Sequence, residues 1–308
     1  MQIYFGDVSL CYTYSLAMAL EAYGHDLRPE YLEALMLMGN GASIVKDDEQ
    51  HPLVFFDNGM PDLSISHVLE VLGFDYEEYY LGEGQVLDLD LIRRKLKALL
   101  ANGPVVLGPL DMGHLTYNPN HTHLYGVDHF VSVYNLEDDY LYLHDPAGFA
   151  CMKIKFEDFL PAWQAQEIDY KRGSYSMWGN FKRVASPDAS AIYLATSQIM
   201  AQRYRQGQEG VLSTYAAAVA KHGLNDEQKQ LHQYFSFKLA AVRNLYLSRF
   251  LAEHDSLRSK IKEDLASLFG QAHLSCLKED YEDLSRLLLE IAELDDRFRA
   301  LCLEARDS

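Results

Sequence analysis

Cysteine, proline and glycine are scarce in this chain of 308 residues, which contains 4, 9 and 19 of them. So little proline and glycine excludes collagen-like and low-complexity chains, and a hydrophobic content of 48% is sufficient for a folded core. The cysteines form no CxxC or CxxH pair, which argues against a disulfide framework and a zinc ribbon. No stretch approaches the ~18 apolar residues of a transmembrane helix, and no secretory signal is readable. We therefore expect free thiols and a cytoplasmic location.

Basic residues are also few, with 27 Lys and Arg against 45 Asp and Glu, for a formal charge of −18. The excess is uneven, because residues 1–189 carry 12 basic and 28 acidic groups whereas residues 190–308 carry 15 and 17. A negative field opposes binding to nucleic acid and to anionic membrane, so we expect neither partner. It favours a cationic substrate if the charge lines a cleft, although a solvated acidic surface is the simpler interpretation.

Two regions with different hydrophobic patterns divide the chain. In the first, apolar spacing predicts helices at about 9–23, 29–38, 64–72 and 89–101. Short β-rich segments follow at 104–110, 129–136, 140–145, 151–156 and 175–184. This pattern predicts an α+β domain over residues 1–188, with helices first and an antiparallel sheet after them.

From about residue 189 onward the strand signals stop and the pattern is helical. Breaks are expected near 207–210, 223–226, 254–256 and 279–281, and the longer segments have the three-and-four spacing of bundle helices. The sequence therefore predicts an all-helical second domain over residues 189–308. A homodimer formed through these helices is left open.

Several catalytic motifs are missing, including GxSxG, the GxxxxGK[ST] phosphate loop, HExxH and GxGxxG. What the chain does contain is Cys11 at the first turn of a predicted helix, with a histidine and an aspartate on later strands. A thiol with a pKa of ~8.5 is mostly unreactive at neutral pH, but a helix N-terminus stabilises the thiolate. The alternative is a small cysteine buried for packing.

The segment HFVSVYNLEDDYLYLHD predicts a β-hairpin. A symmetric hairpin with its turn over Asn135–Asp139, centred on Glu137, places His129 opposite Asp145 on one face of the sheet. A carboxylate in that position fixes the imidazole tautomer, as a base and an orienting group require. A slip of one residue would put His144 in place of Asp145. The alternative is a tyrosine-rich hairpin that ends in an ordinary Asp-Pro turn.

Four histidines, His114, His121, His123 and His129, lie close together in the sequence. No cysteine or carboxylate set accompanies them at a metal-ligand spacing, so we predict no metal site. We expect instead a loop over the cleft, in which His121 and His123 contact the substrate.

The sequence resembles the N-terminal domain family of butirosin biosynthesis protein H, which is related to papain-like, bacteriocin-processing cysteine peptidases. The similarity rests on LCYTYSLAMALEAYG, on the segment from GPVVLGPLDMGHLTYNP to YLYLHDP, and on GVLSTYAAAVAKHG in the helical region. It implies a papain-like fold with Cys11 as nucleophile, His129 as general base and Asp145 as the residue that orients it. It also implies that Asp111 and Tyr117 line the cleft.

The resemblance implies acyl transfer, in secondary metabolite biosynthesis, through a thioester on Cys11. The donor would be a carrier-protein thioester or a small thioester, the acceptor an amine, and no cofactor is needed. A peptidase or amidase with the same triad, which passes the acyl group to water, is an alternative.

One position departs from the papain-like pattern. A glutamine commonly stands about six residues before the cysteine to complete the oxyanion hole, but here Phe5 occupies that position and Gln2 lies further away. Asp7 or Ser9 is expected to cap the helix instead. Oxyanion stabilisation would then rest on backbone N–H groups. The same departure motivates a third alternative, a catalytically silent binding module.

Overall fold

The computed structural model describes residues 8–304 together with Tyr4 and Gly6. The protein is mixed α/β, with 54% helix and 18% strand, an antiparallel sheet and a helical C-terminal region. The helices are α1 (Cys11–Ala22), α2 (Pro29–Met36), α3 (Pro61–Val71), α4 (Leu89–Leu100), α5 (Phe156–Gln164), α6 (Ala189–Gln206), α7 (Val211–His222), α8 (Asp226–Leu231), α9 (Phe237–Leu251), α10 (Ser256–Leu277) and α11 (Tyr281–Glu304). The strands are β1 (Ser43–Lys46), β2 (Leu53–Phe55), β3 (Phe74–Leu81), β4 (Val105–Asp111), β5 (Asp128–Glu137), β6 (Tyr140–Asp145), β7 (Phe149–Lys155) and β8 (Ser174–Arg183).

Short side chains at the helix starts explain several of these boundaries. Asp88, Asp188 and Asp255 each accept a hydrogen bond from the backbone N–H group three residues later, which satisfies a donor that has no partner within the helix. Asn225 and Gln228 form a reciprocal capping box at the start of α8. Two of the predicted breaks between the C-terminal helices, at 223–226 and 254–256, therefore fall where the sequence supplies a cap.

The chain divides into two compact units, and the first consists of Leu10–Leu32 together with Met60–Pro187. Its six-stranded sheet has the order β3-β8-β4-β5-β6-β7, and every neighbouring pair is antiparallel. Alternate residues of the central strands face α4 and α5 and form one apolar core with them, as the period of two requires. Helix α1 lies against β4 and β5, with the ring of Tyr12 at 6.0 Å from that of Phe130.

The second unit combines Glu33–Gly59 with the helices from Asp188 onward. The sequence assigns residues 33–59 to the first domain, but they pack with the C-terminal helices. The reason is apolar burial, because Phe56 stacks on Phe237 at 5.1 Å and packs against Phe269 at 5.0 Å. A buried ion pair adds to this, with Nε of Arg243 at 2.9 Å from a carboxylate oxygen of Glu33.

The secondary structure predicted from the sequence lacks four elements that the structure contains. The sequence reading missed the strands β1, β2 and β3 and the helix α5, which are either short or carry several charges. It found the remaining strands, with ends displaced by at most two residues. Within the described residues, no helix is both long and apolar enough to cross a lipid bilayer.

Candidate active site

Helix α1 begins at Cys11, about two residues later than predicted, and Cys11 lies in its first turn as expected. Gly24 follows the end of the helix with a left-handed φ of 85°. The expectation that Ser9 is the capping residue is wrong, because Leu10 is the N-cap residue, and among the described residues no side-chain cap is formed at this helix start. Asp7, Phe5 and Gln2 lie outside the described residues. The positive end of the helix dipole is therefore unoccupied by any carboxylate of the first turn and is directed at the half-buried Cys11.

His129 and Asp145 form a direct hydrogen bond, with 2.7 Å between Nε2 and Oδ1. Both side chains are almost fully buried, at 5% and 1% exposed. The Cys11 thiol lies within range of the same imidazole, where its charge and hydrogen bonding act on the pKa of His129. Because Asp145 occupies Nε2, Nδ1 is the ring nitrogen that remains for Cys11. The structure thus brings together all three residues of the candidate triad, Cys11, His129 and Asp145.

The pKa of His129 reflects opposing effects. Burial lowers it, but the charge of Cys11 and the hydrogen bonds to Asp145 and Cys11 outweigh burial and raise the pKa to about 10. For Asp145 the effects have the opposite sign. Burial raises its pKa, but the imidazolium of His129 and hydrogen bonds from Ala147 and Tyr117 outweigh burial and bring the pKa below its ordinary value. The site therefore favours an imidazolium beside a carboxylate at neutral pH.

The predicted contact between His129 and Asp145 is confirmed, but the symmetric register that led to it is wrong. The hairpin turns on Asp138 and Asp139, which both have left-handed φ angles, of 49° and 65°. Glu137 consequently pairs with Tyr140 instead of standing at the centre of the turn. A two-residue turn with positive φ at both positions matches the twist of the flanking strands.

A β-bulge in β5 determines which side chains of β5 and β6 lie on the same face of the sheet. The register shifts by one residue between Val133 and Asn135, so that Val133 lies opposite Leu143. Without this shift the register at the turn would continue and would place His144 on the face of His129. Side chains alternate between the two faces of a strand, so one extra residue exchanges the whole set. The bulge at Tyr134 is therefore what brings Asp145 to His129.

Tyr117 also contacts the triad, since its hydroxyl donates to Oδ2 of Asp145 at 2.8 Å. Burial, together with the carboxylate of Asp145, raises the pKa of the Tyr117 phenol far above its ordinary value. Oδ1 of Asp145 also accepts from the backbone N–H group of Ala147 at 2.7 Å. The sequence reading placed Tyr117 in the cleft by resemblance but had no signal for its bond to Asp145.

The other predicted substrate-binding residues belong to the loop between β4 and β5. Asp111 is fully buried, and its Oδ1 accepts from the backbone of Gly113 and Gly126 near the two ends of this loop. His121 donates from Nδ1 to the carbonyl oxygen of Gly113 at 2.8 Å, and His123 is exposed. Contact of these residues with a substrate stays a prediction. Among the described residues, no three His, Cys, Asp or Glu side chains are grouped so as to hold a metal ion.

Comparison with known proteins places the chain in a family. Residues 201–303 match the YobF C-terminal domain, which covers helical residues outside the candidate triad. Over its whole length the chain is similar to the uncharacterized protein YobF of Bacillus subtilis (strain 168), with 34% identity over 309 residues, covering 97% of each chain. The protein therefore belongs to the YobF family.

Proposed function

We propose that the protein is a cysteine-dependent acyltransferase, which carries an acyl group as a thioester on Cys11 and passes it to an amine. The observation that supports this most is the hydrogen bond between His129 and Asp145, in an imidazole whose pKa the Cys11 thiol also raises. A thiol, an imidazole and an orienting carboxylate in that order are the parts that nucleophilic catalysis needs. The helix bearing Cys11, followed by an antiparallel sheet bearing His129 and Asp145, is compatible with a papain-like fold.

In the first half-reaction, the Cys11 proton resides on His129 and the thiolate attacks the carbonyl carbon of a thioester donor. The bond from that carbon to the donor sulfur breaks, and the departing thiolate takes the proton from His129. The N–H group at Cys11, at the start of α1, is positioned to stabilise the tetrahedral oxyanion. The products are the free donor thiol, acyl-Cys11 and neutral His129.

In the second half-reaction, a neutral amine attacks acyl-Cys11 and gives its proton to His129. The carbon–sulfur bond to Cys11 then breaks, which releases the amide and restores the thiolate beside the imidazolium. Asp145 keeps Nε2 of His129 bonded throughout, so that Nδ1 faces the sulfur in both steps.

The charge of the surrounding sequence supports an amine acceptor. No lysine or arginine occurs between Lys97 and Lys153, a segment that includes six acidic residues and both His129 and Asp145. A negative field raises the local concentration of cationic molecules. A polyamine or another multiply charged amine is therefore the acceptor class that we propose.

The test is to incubate the protein with short acyl thioesters of N-acetylcysteamine and to map acyl groups on its peptides by mass spectrometry. We expect an adduct on Cys11 that is absent in His129→Ala, while Cys151→Ser, which removes the exposed thiol, leaves it unchanged. Added diamines or polyamines should speed discharge and yield an amide. Discharge at one rate whatever amine is present would instead identify a peptidase or amidase.

Failure to form the adduct would contradict both enzymatic assignments. A Cys11 thiol that also reacts with alkylating agents like an ordinary thiol would then support the silent binding module. Retention of unreacted thioester by the folded protein, measured by equilibrium dialysis, would separate that module from a protein that does not recognise thioesters.

A further inference from the structure

Three donors hold the carboxylate of Asp145 in one orientation. Oδ1 accepts from Nε2 of His129 and from the backbone of Ala147, both at 2.7 Å, and Oδ2 accepts from the hydroxyl of Tyr117 at 2.8 Å. With a side chain only 1% exposed, Asp145 has little access to solvent that could replace a missing donor. The hydroxyl of Tyr117 is therefore the donor to Oδ2, the carboxylate oxygen that does not contact His129.

We infer that Tyr117 is a positioning residue of the triad, whose hydroxyl fixes the plane of the Asp145 carboxylate so that Oδ1 stays aligned with Nε2 of His129. This role rests on the proposed function, because positioning matters only if His129 acts on Cys11. It differs from the substrate contact that the sequence resemblance implies for Tyr117.

The loop that carries Tyr117 is held in place independently of Asp145. Asp111 joins its two ends through Gly113 and Gly126, and the imidazole of His121 bonds the carbonyl of Gly113. On the other side, the ring of Tyr117 packs edge-on against Phe149 at 5.5 Å. A hydroxyl supported in this way restrains the carboxylate instead of following it.

Loss of the hydroxyl has a defined consequence. Oδ2 would lie buried without a donor, and the carboxylate could turn about its Cβ–Cγ bond toward other donors. The pKa of His129 would then fall, since the aligned carboxylate stabilises the imidazolium. The phenol of Tyr117 remains a donor across the working pH range, because burial and Asp145 keep its pKa high.

The experiment compares Tyr117→Phe with Tyr170→Phe. Tyr117→Phe retains the ring that packs on Phe149 and removes only the hydroxyl. Tyr170 is the matched control, because its hydroxyl donates to Oδ1 of Asp128 at 2.9 Å, one residue before His129 but not within the triad. Two readouts report on the triad: the upper inflection in the pH profile of Cys11 alkylation, where His129 loses its proton, and the low-field proton resonance of the His129 Nε2–H group.

For Tyr117→Phe we expect the inflection to fall by about one pH unit, which corresponds to a tenfold larger acid dissociation constant of the His129 imidazolium. The low-field resonance should shift or broaden, whereas Tyr170→Phe should match the parent in both readouts. Combined with Asp145→Ala, Tyr117→Phe should have no further effect, since it acts through that carboxylate.

Three outcomes would overturn the inference. Tyr117→Phe could match the parent in both readouts, or move the inflection upward, which would mean that the hydroxyl only withdraws charge from Asp145. Undiminished effects in the Asp145→Ala background would show that Tyr117 acts elsewhere. Failure of the proposed function is distinguishable, because His129→Ala would then leave the alkylation profile of Cys11 unchanged.

Discussion

His129 donates from Nε2 to Oδ1 of Asp145 across two neighbouring strands, although the two residues are not paired in the strand register. The pairing reaches only Ser132 with His144, and beyond it the two side chains meet diagonally at the end of the sheet. They share a face because the bulge at Tyr134 changes the register by one residue. An irregularity in the backbone therefore determines which side chain meets the imidazole.

Deletion of Tyr134 tests this relationship. Tyr134 is the residue that the strand register leaves without a partner, so its removal should leave Val133 opposite Leu143 and Asp145 on the face of His129. Leu141 and Leu143 would stay in the core, so we expect the free energy of unfolding to remain within about 1 kcal/mol of that of the parent.

Tyr134→Ala is the matched control, because it keeps the residue count and removes only a ring that is 36% exposed. We expect urea unfolding and Cys11 alkylation of both variants to resemble those of the parent. Loss of stability and of selective alkylation in the deletion alone would show that Tyr134 is not the residue that the register leaves unpaired.

The raised pKa of His129 predicts a pH dependence of stability. A group whose pKa rises from 6.5 to about 10 on folding stabilises the protein fully below pH 6.5 and loses that contribution as the pH rises through 10. The stability advantage of the parent over His129→Gln, from urea unfolding, should thus be smaller at pH 10 than at pH 7 by about 3 kcal/mol. A constant difference would mean that the imidazole is not protonated in the folded protein.

The four cysteines should react in a defined order. Cys276 and Cys302 are buried, and burial raises the pKa of each to about 11, so both should resist alkylation until the chain unfolds. Cys151 is exposed, and the proposed pairing of Cys11 with the His129 imidazolium should make the half-buried Cys11 the faster-reacting thiol at pH 6. Peptide-resolved mass spectrometry measures all four in one sample, and faster labelling of Cys151 than of Cys11 at pH 6 would contradict the account.

Periodicity predicted the parts of the fold in which packing repeats regularly. Leu16 and Leu20 mark α1 and both are fully buried, and the alternation of Val131 and Val133 marks β5. It failed at β3, where Glu77 and Glu78 lie in an edge strand, and at α5, which has no side-chain N-cap and contains Pro161. Neither element has the clean apolar spacing on which such a prediction depends.

The candidate site was predictable in its members and not in its geometry. A cysteine at a helix start and a hairpin between a histidine and an aspartate are local features, so the sequence could indicate Cys11, His129 and Asp145. The contact of Tyr117 with Asp145 depends on the path of the loop whose backbone is hydrogen-bonded to Asp111. No local sequence pattern predicts that path. For the same reason, the assignment of residues 33–59 to the helical unit came only from tertiary packing.

Arg243 tests that assignment, because it lies in α9 and bonds Glu33 at 2.9 Å and Asp57 at 3.2 Å. Arg243→Ala should lower the free energy of unfolding by about 3–5 kcal/mol, since it removes the guanidinium that pairs with the buried Glu33 and the half-buried Asp57. Arg286→Ala, which removes an exposed arginine paired with Asp283 and Glu290, should change stability little. Similar urea midpoints for the two variants would show that the buried pairs do not anchor residues 33–59.

The central claim is that His129 and Cys11 form a thiolate–imidazolium pair. Its most direct test is the pH dependence of Cys11 alkylation in the parent and in His129→Ala, with Cys151 in the same protein as the reference thiol. The account predicts labelling of Cys11 at pH 6 in the parent, and its loss or an upward shift of the profile in His129→Ala. Labelling that begins only above about pH 8 and is the same in both proteins would mean an ordinary thiol and would contradict the claim.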